Sequence, residues 1–129
     1  MRNYGSKRLA TALAFLLMMM AAASLAQEPP AEQPPDNVAG NWTIYANDPN
    51  GGTSTKYIQL KQDGNQLTGH FKGPHQSGGL EGTINVHHIM FRTKTRDVLT
   101  FRGTVEGNQM SGNFGNRGQH GTWKAERAN

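Results

Sequence analysis

The chain has 129 residues, with 13 Lys and Arg against 9 Asp and Glu, five His and no Cys. That length suits one domain behind an N-terminal extension, and the missing cysteines exclude disulfide staples, thiolate metal centres, thiol nucleophiles and lipid attached to a cysteine. Three of the basic residues lie within the first eight; without them the balance is 10 against 9, which excludes a polycationic nucleic-acid binder.

Arg2, Lys7 and Arg8 precede an apolar run from Leu9 to Ala23, and Ser24-Leu25-Ala26 then puts small residues three and one before a cleavage point. This order predicts a secretory signal peptide over residues 1–26, cut after Ala26, and therefore a periplasmic or extracellular protein. The apolar run is 15 residues long, short of the roughly 20 that a spanning helix needs, so no membrane span is expected after cleavage. Residues 27–36, QEPPAEQPPD, carry four prolines and three acids without one large apolar side chain. Such a leader cannot bury a core, and it reads as a disordered spacer in extended polyproline II conformation. The remaining domain, residues 37–129, holds all 10 remaining basic residues against six acids.

From Asn37 onward short alternating segments are separated by Gly, Asn and Asp, and they predict eight strands at 41–46, 55–62, 66–72, 80–85, 88–95, 98–105, 109–114 and 121–127. In Leu99-Thr100-Phe101-Arg102-Gly103-Thr104-Val105 the apolar residues and Gly fall on one face, and Thr and Arg on the other. Sixteen scattered glycines and the absence of a 3.6-residue period argue against helix. A repeat is present: DGNQLTGHF at 63–71 returns as EGNQMSGNF at 106–114, and Ile89-Met90-Phe91 follows a related turn between them. Three hairpin copies are too few for a propeller. They fit an antiparallel up-and-down meander that closes into an all-β, eight-stranded barrel, which also removes the exposed strand edges of an open sheet. Gly69, Gly82, Gly103 and Gly112 fall on the apolar faces, where a small barrel needs kinks and narrow side chains.

Gly40-Asn41-Trp42 opens the first strand, and Trp123-Lys124-Ala125-Glu126-Arg127 closes the last. This pattern resembles the calycin barrels (lipocalins, fatty-acid-binding proteins, avidins) and small bacterial secreted domains of the same design. The resemblance implies a lipocalin- or avidin-like meander whose floor is closed by Trp42 against Arg127 through an indole–guanidinium contact. It also implies a ligand-binding interior, here lined by Trp42, Phe71, Phe91, Phe101 and Trp123.

Alternate connections of such a meander share an end. Tight turns at 63–66, 86–88 and 106–109 define one end; 47–54, 73–79, 96–97 and 115–120 define the other, with three of these four long and irregular. Binding residues concentrate on loops carried by a rigid scaffold, so the second end gathers the loop candidates Asp48, His75, Ser77, Arg96, Asp97, Arg117 and His120. His75 and His120 with Asp48 or Asp97 have no metal-ligand spacing, and no metal or other cofactor is expected. Gly-x-Ser-x-Gly, His-Glu-x-x-His and phosphate-loop motifs are absent, so no catalytic residue is assigned and an enzyme is not expected. Arg92, Lys94, Arg96 and Arg102 form a basic outward stripe without the interleaved aromatics that base stacking requires. The sequence therefore leads to a secreted, non-catalytic binding barrel for a small, mostly apolar ligand. Its alternative is an inhibitor-like module with a filled barrel, meeting a protein or envelope surface through its loops or the stripe; nucleic acid is not an expected partner.

Overall fold

The computed structural model describes residues 33–128; the expected signal peptide over 1–26 and the leader before Gln33 lie outside the described residues. The chain forms β1 (Gly40–Asn47), β2 (Thr53–Asp63), β3 (Gln66–Lys72), β4 (Ser77–Asn85), β5 (His88–Lys94), β6 (Thr100–Glu106), β7 (Gln109–Asn116) and β8 (Gln119–Arg127). Each strand pairs antiparallel with its neighbour in sequence, and β8 returns to β1, closing an eight-stranded up-and-down barrel. Among the described residues there is no helix long and apolar enough to cross a membrane.

Period-two alternation decides which side chains face inward. Trp42, Ile44 and Ala46 on β1, Ile58 and Leu60 on β2, and Trp123 and Ala125 on β8 are buried while their neighbours face solvent. A barrel of this size is just wide enough for its own side chains to fill, and here they do. Phe91 stacks on Phe101 with ring centroids 4.8 Å apart, Phe101 stacks on Phe114 at 5.2 Å, and Trp123 meets Phe101 edge-on at 5.6 Å.

The glycines make this packing possible. A Cβ on Gly112 would lie 1.9 Å from the Arg102 carbonyl oxygen, and one on Gly103 would lie 2.1 Å from that of Ser111. Gly103 and Gly112 are directly paired, and Gly112 also pairs with Trp123. No side chain fits between the strands at this pair, and the Trp123 indole donates to the backbone carbonyls of Arg102 and Asn113.

The three tight turns of one end share a feature beyond their sequence repeat. In each, the first central residue has a positive φ: Gly64 at 60°, Gly107 at 62° and, in the third copy, Val86 at 54°. Glycine takes this conformation freely, whereas a β-branched residue is strained there.

At the opposite end three connections differ most from expectation. The 73–79 segment shortens to 73–76, because β4 already begins at Ser77, which puts Ser77 on a strand and not on a loop. The 115–120 segment is a two-residue turn, because Arg117 and Gly118 both adopt positive φ (52° and 81°) and so continue the twist of β7 and β8. The 96–97 connection is longer, spanning 95–99, because Thr93 and Thr95 draw the chain into a side-chain-bonded loop. The Thr93 hydroxyl meets that of Thr95 at 2.7 Å and accepts from the Leu99 amide, and Thr95 donates to the Asp97 carbonyl. The fifth strand consequently ends at Lys94, which takes Arg96 out of the basic stripe and onto the rim.

Candidate functional site

The two ends of the barrel are built differently. The tight-turn end is closed by residues 36–39, where the leader meets the domain. Val38 is fully buried under Trp42, whose indole donates to the Val38 carbonyl at 2.9 Å. Arg127 lies over the Trp42 ring, Cζ 4.4 Å from its centroid, and donates to the carbonyls of Ala39 and Asn37 and to Asn108 Oδ1. Gln62 accepts from the Val38 amide and donates to the Asp36 and Gly64 carbonyls. Asp36, read from composition as the end of a free leader, donates its amide to the Val86 carbonyl and sets its carboxylate 2.8 Å from His87 Nδ1.

The loop end is an open bowl of about 920 Å³. Its apolar wall is Phe71, Leu99 and Phe114, and its rim includes Asp48, His75, Arg96 and Asp97. Lys56 reaches into it from β2, two residues before Ile58 on the same inward face. Only 7% of its side chain is exposed. Its ammonium donates to the Ser54 hydroxyl, lies 3.5 Å from Asp48 Oδ1, and stands 5.5 Å from the Phe114 ring centroid. Ser54 in turn donates to Asp48 at 3.0 Å, so the three polar groups hold one another. Asn116, two residues beyond Phe114 on β7, lines the same bowl, and its Oδ1 is buried without a hydrogen-bond partner. The 95–99 loop is fixed against the 73–76 turn by Gln76, which donates to the Asp97 carbonyl and accepts from the Asp97 amide.

Trp42, Phe91, Phe101 and Trp123 pack within the filled interior, and Phe71 is the one of the five expected lining aromatics that borders the bowl. Asp97 pairs with Arg117 through its carboxylate. His120 is exposed on β8 opposite Gly115, outside the bowl's lining. His75 and Ser77 are both exposed. Of the stripe, Arg92 and Arg102 stay on the outer face, and Lys94 pairs with Glu81 at 3.4 Å. Lys56, Ser54, Leu99, Phe114 and Asn116 were missed from sequence. Lys56 was visible in the alternation Lys56-x-Ile58-x-Leu60, which puts a lysine where an apolar residue is due.

Among known proteins, no family model matches the chain and no curated protein matches it. A solved structure of a redesigned β-barrel superposes with a TM-score of 0.64 at 13% identity, covering 71% of this chain and 92% of that one. The likeness is to the fold alone.

Proposed function

We propose that this protein is an exported, non-catalytic binding barrel whose ligand is a small, mostly apolar molecule seated in the loop-end bowl. The observation that carries this reading is the bowl itself: about 920 Å³ of space walled by Phe71, Leu99 and Phe114, with a buried lysine beneath. Its volume falls within the range of small-molecule sites; Phe71, Leu99 and Phe114 form its apolar part, and polar side chains, among them Asp48, Ser54, Lys56, Gln76 and Asn116, make up much of the rest. The filled interior supports the bowl over the barrel axis. Removing a large core ring to make room costs about 3–5 kcal/mol, whereas the bowl needs no such rearrangement.

Native mass spectrometry of the protein purified from its own compartment tests the proposal. A retained small molecule, lost on replacing Phe114 by Asp, is the expected result; a clean apo mass together with a retained protein would overturn it. That second result belongs to the interaction-module reading, which the exposed Arg92 and Arg102 on the outer face support. Replacing Arg92, Lys94, Arg96 and Arg102 together would then abolish the association.

A further inference from the structure

The outer face of β1 and β2 carries a second surface, independent of the bowl. Among the described residues the large apolar side chains left exposed are Tyr45, Tyr57 and Val98. Val98 stands alone on the 95–99 loop, and single exposed apolar residues are ordinary. The two tyrosines are a pair. Tyr45 is 49% exposed on β1 and Tyr57 is 53% exposed on β2, its hydrogen-bonded neighbour. The register sets Tyr45 opposite Thr55 and Tyr57 opposite Thr43, so four outward side chains form a checkerboard of rings and hydroxyls. Diagonal positions of this kind lie about 7–8 Å apart or somewhat less, within reach of two tyrosine side chains.

The flanks add charge. Lys124 faces Tyr45 from β8, and Lys72 faces Tyr57 from β3. Both lysines are exposed, and neither takes part in an ion pair among the described residues. Gln59 is the next outward residue of β2, and Lys61 follows it. The acid adjoining the pair is Glu126, which faces Thr43 from β8. Cations therefore outnumber acids around the rings.

This chemistry selects an occupant. A tyrosine ring has a negative π-face, which attracts the polarised C–H bonds of a sugar ring lying flat on it. Thr and Gln side chains both donate to and accept from sugar hydroxyls, and an ammonium at each side pairs with a carboxylate. A protein partner suits the face less, because interface cores are depleted in lysine, and here threonines separate the rings. Single-stranded nucleic acid also stacks on aromatic rings, but its charge on every nucleotide would meet few lysines and Glu126 against them. We infer that the β1–β2 face binds an acidic polysaccharide, its sugar rings on Tyr45 and Tyr57 and its carboxylates at Lys72 and Lys124.

Amide NMR titration of the purified, isotope-labelled protein with hexagalacturonate tests this, with maltohexaose as the uncharged glycan and a short oligothymidylate as the nucleic acid. The expected result is saturable shifts at Thr43, Tyr45, Thr55 and Tyr57 with hexagalacturonate, while Leu99 and Phe114 in the bowl stay unmoved. Tyr57→Ala should weaken that binding about tenfold, and Lys72→Gln about threefold. No shift at the β1–β2 face, or shifts centred on the bowl, would overturn the proposal. Maltohexaose binding as tightly as hexagalacturonate would overturn the acidic class, and tighter oligothymidylate binding would overturn the glycan. The three titrations of the parent decide the matter even where a variant does not fold, and a failure here leaves the bowl reading untouched.

Discussion

The closed and open ends of this barrel use the same backbone and opposite chemistry. At the closed end Arg127 donates to three oxygens and covers Trp42, Gln62 bonds three backbone groups, and Val38 plugs the floor. At the open end a lysine is buried beside a half-filled set of partners, and an asparagine oxygen has none. An end finished with hydrogen bonds contributes to stability; an end with a bowl and a buried lysine is the one where the proposed binding would occur. Substitutions at the closed end should therefore act on folding, and those at the open end on binding.

The largest expected effect is at the floor. Trp42→Ala removes a side chain that is 1% exposed, together with its bond to Val38 and its contact with Arg127. It should lower stability by about 3–5 kcal/mol in urea denaturation. Arg127→Ala, which frees Asn37, Ala39 and Asn108, should cost about 2–3 kcal/mol by the same measurement. A loss below about 0.5 kcal/mol in either would mean that the floor is not what holds the leader to the barrel.

Lys56→Met is the counterpart at the open end. An apolar side chain removes the cost of burying a cation but leaves the Asp48 carboxylate, 25% exposed and still bonded to Ser54, without its counter-charge, so the urea midpoint should correspond to a loss of about 1 kcal/mol. Affinity for a small, mostly apolar ligand should fall in the same variant, since Lys56 lines the bowl. A loss of stability as large as that of Arg127→Ala would break the contrast between the ends. The smallest effect is a gain: Val86→Gly gives the third tight turn the residue its two sisters carry. Relief of strain at φ 54° outweighs the added freedom of glycine, for about 0.5–1 kcal/mol and a rise in Tm of about 4 °C.

The barrel was legible in the sequence because period-two alternation and turn chemistry are local signals. The repeat DGNQLTGHF/EGNQMSGNF puts Gly69 and Gly112 where a Cβ would strike the adjacent strand, and Phe71 and Phe114 at the bowl wall. Arg127 over Trp42 joins the two ends of the domain sequence, a contact that only the resemblance to closed barrels suggested. The loop end was less legible, since its conformation rests on particular bonds. Asn116-Arg117-Gly118-Gln119 looks like an irregular glycine-rich loop and is a tight turn, whereas the short-looking connection after β5 is opened by the Thr93–Thr95 pair. Lys56 was overlooked for a different reason. A lysine in a strand is ordinarily solvated, and its burial becomes evident only when Ile58 and Leu60 fix which face is inside.

The most direct test of the contrast is a two-dimensional amide NMR titration of the isotope-labelled protein with 1-octanol. Shifts confined to Ser54, Lys56, Leu99, Phe114 and Asn116, with Val38, Trp42 and Arg127 unmoved, are the predicted result. Shifts centred on the closed end, or on Arg92 and Arg102 along the outer face, would contradict it.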